Sequence, residues 1–214
     1  MIQADDRPKK AQQILDGARS AFLELGYEGT SVDEIARRAK VSKGTLYAHF
    51  PDKAGIFGEV VREAAESNRC WLEQMCELEP EGDTAPERAK AAISEVVNRF
   101  VGFLVQETRQ SLYRIVLAES ERFPELGRSL HAHGPGACHR YMTAFMAQLT
   151  RNGTLQAWDA GEAARVLLDL CDGDMVRKRR FGFGLPSEEE IRGEVETVTK
   201  IFLRLYGPST EVSG

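Results

Sequence analysis

The sequence predicts an all-α protein with a three-helix helix-turn-helix domain at its N-terminus and a larger helical domain after it. Three observations support this prediction. Apolar residues recur at steps of three and four along most of the chain, and no segment alternates as a strand would. A turn containing Gly44 separates two short helical segments. The 42% hydrophobic and 29% charged residues are typical of a folded globular chain, which excludes a disordered one.

The first three helices are predicted to be short and closely spaced. The first covers residues 8–25, because its apolar residues share one face and a glycine follows where helices often end. The second covers residues 32–40, with Thr30 or Ser31 as its N-cap and two acidic residues in its first turn. The third follows the glycine turn over residues 45–50 and ends before a proline.

A fourth, long helix is predicted from Asp52 to about Glu77, since few helix-breaking residues interrupt its apolar pattern. Residues 79–86 are rich in proline and acidic residues, which indicates a loop. We therefore predict two domains, residues 1–53 and residues 54–214. The further helices are predicted over residues 86–108, 110–121, 124–132, 135–152, 159–180 and 187–206.

The segment around Gly44 has the features that a helix-turn-helix requires: a small residue at the turn, an apolar seam and a polar face for the major groove. The predicted seam consists of Ala36, Val41, Leu46 and Phe50. The residues left to face outward are Ser42, Lys43, Thr45, Tyr47 and His49. The net charge of −5 is unevenly distributed, because residues 1–53 carry nine Lys and Arg against eight Asp and Glu. That local balance favours nucleic-acid binding by the first domain.

Residues 30–57 resemble the DNA-binding domain of the TetR (tetracycline repressor) family, and the resemblance extends over roughly residues 8–57. They read TSVDEIARRAKVSKGTLYAHFPDKAGIF. The resemblance implies phosphate contacts by Thr30, Ser42, Tyr47, His49 and Lys53. It implies an approach to base edges by Lys43, Gly44, Thr45 and Tyr47. Lys53 also begins the fourth helix, whose N-terminus would favour the same phosphate.

Several of these residues also have a plainer structural interpretation. Tyr47 and Phe50 suit an apolar core as well as a DNA contact, and Phe50 and Leu46 are the better core candidates. The adjacent Arg37 and Arg38 fit a solvated helix face as well as a contact with DNA.

The larger domain resembles the AefR-like type of C-terminal domain, through residues 112–136, which read LYRIVLAESERFPELGRSLHAHGPG. The resemblance implies a regulatory domain that binds a small ligand and dimerises through its last two long helices. Apolar stripes on those helices agree, although core packing within one subunit would produce the same pattern. The predicted interface residues are Val166, Leu167, Leu170, Val195, Val198 and Phe202. A homodimer would also let two recognition helices read the two halves of a palindrome.

A ligand pocket is predicted between the long fourth helix and the helices over residues 86–152, where large apolar side chains are numerous. Its candidate lining residues are Trp71, Met75, Phe100, Phe103, Leu104, Tyr113, Tyr141, Phe145 and Met146. Ordinary core packing is the alternative for each of them, and the sequence does not identify the ligand.

No cofactor and no metal are expected. The group with the most suitable side chains is His131, His133, Cys138 and His139, but its spacing matches no metal-binding motif. Four cysteines without a C-x-x-C pair indicate reduced thiols, with a redox switch as the alternative.

Together these features predict a cytoplasmic, ligand-responsive transcriptional regulator, a homodimeric repressor that leaves its palindromic double-stranded operator when a small molecule binds. The N-terminus resembles no secretory signal, and no run of about 18 uncharged apolar residues predicts a membrane span. An enzyme is not expected, since the chain has no G-x-S-x-G, P-loop or HExxH motif. An activator or an interaction protein remains the alternative, and promoter output with and without the gene would separate these functions.

Overall fold

The computed structural model describes residues 7–76 and 81–208, excluding the side chains at 7, 8, 65–72, 75 and 76. This part of the chain contains helices and no strand, which confirms the predicted all-α fold. Its helices are α1 (Arg7–Gly29), α2 (Val32–Arg38), α3 (Lys43–His49), α4 (Lys53–Cys76), α5 (Ala85–Leu104), α6 (Glu107–Glu119), α7 (Pro124–His133), α8 (Pro135–Arg151), α9 (Ala160–Cys171), α10 (Asp174–Arg180) and α11 (Glu188–Tyr206). Within these residues, no helix has both the length and the apolar content that crossing a membrane requires.

The chain divides into two compact units. Unit 1 contains the described residues up to Ser67 together with residues 111–133, and unit 2 contains residues 68–110 together with the described residues from Gly134 onwards. Two helices, α4 and α6, therefore begin in one unit and continue in the other. The predicted boundary between residues 53 and 54 separates a DNA-binding domain from a regulatory domain. This functional division stays a prediction.

Unit 1 has its own apolar core, to which α1, α2, α3, the first half of α4, α6 and α7 all contribute. Three aromatic rings lie at its centre: Phe57 is 4.8 Å from Phe22 and 4.9 Å from Tyr27, measured between ring centroids. The helices α1 and α2 approach closely at Gly17, where an added Cβ would lie 2.7 Å from the backbone nitrogen of Ala39. Glycine at this position therefore allows the two backbones to touch.

The helix ends in unit 1 differ from the predicted ones by a few residues. Helix α1 continues past residue 25 to Gly29, across a kink at Gly26 where φ is 73°. Ser31, one of the two predicted candidates, is the N-cap of α2 and accepts a hydrogen bond from the Glu34 N–H. The third helix begins at Lys43 instead of residue 45, because Ser42 caps it by accepting the Thr45 N–H.

The core of unit 2 is formed by α5, α8, α9, α10 and α11. Capping boxes start two of these helices, with Thr84 and Glu87 at α5 and Ser187 and Glu190 at α11. Both helices then bury one apolar face against the same core.

Two predicted long helices in unit 2 are wrong, because each is interrupted. The one predicted over residues 86–108 stops at Leu104, and α6 starts afresh at Glu107. The one predicted over residues 159–180 is split into α9 and α10 at Gly173. An added Cβ at Gly173 would lie 2.6 Å from a carboxylate oxygen of Glu194, so the break coincides with a close approach of α11.

Candidate nucleic-acid interface and regulatory core

Helix α3 is held by a cap at its start and by one buried side chain. The Ser42 hydroxyl oxygen accepts the Thr45 N–H at 3.0 Å and lies 2.9 Å from the Thr45 hydroxyl. Leu46 is fully buried in the core of unit 1, and Phe50 is packed against that core at the C-cap. The predicted core role of Leu46 and Phe50 is therefore confirmed.

The opposite face of α3 is open to solvent. Tyr47 is 52% exposed, so the alternative that placed it in the core is wrong. An added Cβ at Gly44 would meet only the Ser42 hydroxyl, at 3.8 Å, so another molecule's backbone has room to approach there. Thr45 and His49 are half-buried at the edges of this face.

An ion pair orients Lys43 on the exposed face. Its ammonium lies 2.7 Å from a carboxylate oxygen of Asp33 in the first turn of α2. This hydrogen bond raises the pKa of Lys43, and the side chain remains 55% exposed. The ammonium is thus directed by α2 while it stays accessible to a negatively charged partner.

Arg37 and Arg38 share one carboxylate but differ in exposure. Both guanidinium groups donate to Glu34, and these hydrogen bonds lower the pKa of Glu34 to about 2. Arg38 also donates to Glu24 at 2.7 Å and to Ser20 at 2.9 Å, which ties α2 to α1. Its side chain is 15% exposed, against 70% for that of Arg37. Arg38 is therefore a structural link between helices, whereas Arg37 lies on a solvated face.

The start of α4 is attached to Tyr27, which lies beyond residue 25, the predicted end of the first helix. The Lys53 ammonium donates to the Tyr27 carbonyl at 2.9 Å and lies 4.2 Å from the centre of its ring. Tyr27 is 3% exposed, and burial is the largest cause of its raised pKa. The sequence contains one signal of this role: an aromatic residue directly follows the glycine at the kink. A segment that is only solvent-exposed has no use for a large aromatic side chain.

Thr30 differs from the other residues predicted to contact DNA, because it is buried. It is 1% exposed, its hydroxyl donates to the Gly26 carbonyl at 2.7 Å, and its N–H donates to the Tyr27 carbonyl. Both donors of Thr30 thus stabilise the turn between α1 and α2. The geometry does not support a phosphate contact by Thr30.

Six of the nine predicted pocket residues lie together in unit 2. Leu104, Phe100, Phe145 and Met146 belong to its buried core, and Phe103 and Tyr141 are packed against that core. Tyr113 lies in unit 1. The side chains of Trp71 and Met75 lie outside the described residues. The pocket itself stays a prediction.

Most of the predicted dimer residues fill the core of their own subunit, which is the alternative that the sequence left open. Leu167 and Phe202 are fully buried there, Val198 and Val195 are buried, and Val166 and Leu170 are partly buried. Large apolar side chains that unit 2 does expose are Trp158, Phe181, Phe183, Leu185, Ile201 and Leu205. Core packing and a dimer interface produce the same helical period of apolar residues, so the sequence could not distinguish between them.

The histidines and cysteines are dispersed over two units. His131 and His133 are exposed at the end of α7, whereas Cys138 is buried in α8, and the His139 ring nitrogen lies 3.1 Å from the Gly161 carbonyl. Among the described residues, no group of three or more such side chains is placed to hold a metal ion. Burial raises the pKa of the Cys138 and Cys171 thiols, which favours the protonated, unreactive form of both. Cys70 and Cys76 lie outside the described side chains.

Two family models match this chain. The one described as bacterial regulatory proteins, tetR family, matches residues 14–60. The one described as the AefR-like transcriptional repressor, C-terminal domain, matches residues 91–208.

Curated relatives resemble parts of the chain. The transcriptional regulator AcrR of Shigella flexneri is 32% identical over 116 residues, which are 54% of this chain and 51% of that protein. The transcriptional repressor AcnR of Corynebacterium glutamicum is 40% identical over 65 residues, 30% of this chain and 35% of that protein. The chain thus matches between a third and a half of the length of these two relatives.

Solved structures resemble nearly the whole chain. A putative TetR-family regulator from Mesorhizobium loti has a TM-score of 0.87 and 28% identity, covering 94% of this chain and 98% of that one. The flavonoid-responsive regulator FrrA has a TM-score of 0.73 and 30% identity, covering 95% of this chain and all of that one.

Proposed function

Since this chain belongs to the TetR family of bacterial regulatory proteins, with an AefR-like C-terminal domain, we propose that it is a ligand-responsive transcriptional repressor. It binds a palindromic operator as a homodimer in the cytoplasm and leaves the operator when a small molecule binds. Members of this family are transcriptional regulators, so no enzymatic reaction is proposed.

The observation that carries this proposal is the division of α3 into a buried side and an open side. Leu46 anchors the helix, while Lys43, Gly44 and Tyr47 lie on the accessible side. An exposed tyrosine, a directed ammonium and a residue without a side chain suit a helix that approaches phosphates and base edges. Ser42 precedes α3 and Lys53 begins α4. The Ser42 hydroxyl and the Lys53 ammonium can each donate a hydrogen bond to a phosphate oxygen.

A homodimer is proposed because α3 has only seven residues. One such helix makes too few base contacts to select a site in a genome, whereas two related by a twofold axis read both halves of a palindrome. The exposed apolar residues Ile201 and Leu205 on α11 suit the self-complementary contact that this symmetry requires.

The proposed effector is a hydroxylated aromatic molecule of the flavonoid class. The 30% identity with a flavonoid-responsive regulator supports this class, because it extends over almost the whole of both chains. Within unit 2, the rings of Phe100 and Phe103 lie 6.2 Å apart, and the Arg109 guanidinium lies 4.0 Å from the centre of the Phe103 ring. Aromatic and guanidinium planes are suitable partners for a flat ring system.

The mechanism that follows has two conformations. The free dimer presents its recognition helices at the spacing of successive major grooves, and the ligand stabilises a conformation with a different spacing. Ligand binding and operator binding then oppose each other, although the ligand and the DNA are not in contact. A coupling free energy of about 1 to 3 kcal/mol would weaken operator binding by roughly 5- to 150-fold.

The decisive experiment is to titrate the purified protein against the DNA upstream of its own gene, at fixed salt with excess competitor DNA, and to map protection by footprinting. We expect protection of a palindrome. The variant Lys43→Ala is expected to lose discrimination between operator and scrambled DNA, whereas Lys90→Ala, an exposed lysine on α5, is expected to keep it. The absence of protection across genomic fragments would refute the proposal.

A further inference from the structure

We infer that Gln110 recognises the effector, and that its side-chain carbonyl oxygen accepts a hydrogen bond from a hydroxyl group of the aromatic ligand. This inference rests on the proposed function, because it assigns a role within the ligand-binding unit. The observation behind it is a buried hydrogen-bond acceptor, the side-chain oxygen of Gln110, for which the described part of the protein supplies no donor.

Gln110 lies in the first turn of α6 and is 2% exposed. Its amide nitrogen donates to the carbonyl of Leu104, the last residue of α5, at 2.5 Å. The last carbonyls of a helix have no partner within the helix, so this bond caps α5. Because a carbonyl only accepts hydrogen bonds, the NH₂ group must face Leu104 and the amide oxygen must point elsewhere.

The amide oxygen of Gln110 is buried and has no hydrogen-bond partner among the described residues. A buried acceptor without a donor is costly, and most such atoms in folded proteins are paired. The cap on α5 does not explain this oxygen, since a lysine or arginine would cap Leu104 without burying a spare acceptor. A ligand that brings a donor would remove the cost.

The rest of this corner between α5 and α6 is already satisfied by protein groups. Arg179 is buried, donates to the Val105 carbonyl at 3.1 Å and pairs with Glu107. Three helices of unit 2 therefore fix the corner, and the Leu104 bond fixes the orientation of the Gln110 amide. An acceptor held in this way is preorganised for one direction of approach.

The aromatic and charged residues next to the α5–α6 turn indicate what kind of molecule brings the donor. Phe100 and Phe103 lie on the last turns of α5, with Arg109 stacked on the Phe103 ring. A flat phenolic ligand can pack against such groups while one hydroxyl reaches Gln110. A fatty acyl chain has no donor to offer, and a carboxylate would meet the amide oxygen with like partial charge. The chemistry of these groups thus favours a neutral phenol.

The position of Gln110 along the chain connects this contact to regulation. It is the last residue of unit 2 on α6, and the helix continues from Ser111 into unit 1. A ligand bonded to Gln110 would act directly on a helix that both units share.

The test uses two flavones of the same ring system, a trihydroxyflavone and its trimethoxy analogue, which lacks the donors. Their affinities are measured by calorimetry on the full-length protein, on Gln110→Met, and on Gln106→Met as an exposed control one turn earlier. We expect the unmodified protein and Gln106→Met to prefer the trihydroxy compound, and Gln110→Met to lose about tenfold of that preference. The ratio of the two affinities is compared between variants, because the difference in size between the two ligands then cancels.

Three results would overturn the inference. If Gln110→Met keeps the full preference, the hydroxyl bonds elsewhere, while the aromatic effector of the proposed function stands. If neither flavone binds the unmodified protein, the effector class fails together with the role of Gln110, and operator binding is judged separately by footprinting. Circular dichroism shows whether Gln110→Met folds. If it does not fold, the unmodified protein alone decides: equal affinity for the two flavones would refute the need for a hydroxyl donor.

Discussion

Replacing Lys53 with methionine separates the two roles of this residue, one in the fold and one in DNA binding. The ammonium donates to the Tyr27 carbonyl at 2.9 Å and lies 4.2 Å from the centre of its ring. A hydrogen bond from a charged donor contributes roughly 1.5 to 3 kcal/mol, and a cation over a ring adds about 0.5 to 1 kcal/mol at an exposed site. Methionine keeps the apolar stem, and Lys53 is only half-buried. We therefore expect the free energy of unfolding to fall by about 2 kcal/mol.

The same substitution is expected to weaken binding to operator and to scrambled DNA alike. An ammonium has three N–H donors, so the bond to Tyr27 leaves others free for a phosphate. Loss of one phosphate contact lowers the slope of log affinity against log salt by about 0.9. Urea unfolding followed by circular dichroism measures the first effect, and fluorescence anisotropy at several salt concentrations measures the second.

Lys90→Met on α5 is the matched control, since it removes an exposed lysine from unit 2. It should change neither the unfolding free energy nor the salt slope. An unchanged unfolding free energy in Lys53→Met would refute the attachment of α4 to Tyr27. An unchanged salt slope, with the fold intact, would refute the phosphate contact.

Substitutions at two further positions, Ser42 and Glu34, test the helix-turn-helix itself. Ser42→Ala removes the cap of α3, so stability should fall by about 1 kcal/mol with a loss of operator affinity, whereas Ser42→Asp should keep the cap and the stability. Equal stability of both variants in urea unfolding would contradict the capping role. The folded-state pKa of Glu34 is lowered from 4.5 to about 2, so its stabilisation is complete above pH 4.5 and is lost as the pH falls towards 2. Glu34→Gln should therefore lose less stability than the unmodified protein as the pH falls from 4.5 towards 2. The control Glu125→Gln, at an exposed position, should lose as much as the unmodified protein.

The N-terminal elements followed closely from local sequence signals. Caps, glycines and a short-range apolar period act within one or two helical turns, so the order of α1 to α4 and the buried position of Leu46 could be derived from neighbouring residues. The same local reasoning ended the first helix at residue 25 and assigned no role to Tyr27. Its role depends on Lys53, which lies 26 residues further along the chain.

The C-terminal half was harder to derive because its important interactions are distant in sequence. The breaks at Val105 and Gly173 occur inside segments that were predicted as single helices, residues 86–108 and 159–180. The buried Arg179 contacts residues more than 70 positions away, which no local signal announces. Gln110 was not singled out from the sequence, because its burial depends on how α5 turns into α6.

The sequence by itself determined the all-helical class, the helix-turn-helix around Gly44 and the family resemblance, since each depends on residues close together in the chain. Tertiary structure alone decided which apolar faces are core. Leu167 and Phe202 carry the same periodic signal as exposed Ile201 and Leu205, yet only the first pair is buried in its own subunit. It also decided that the hydroxyl of Thr30 faces inward and that of Tyr47 belongs to an exposed side chain. A helical period specifies that a face is apolar, but packing against distant helices determines what covers it.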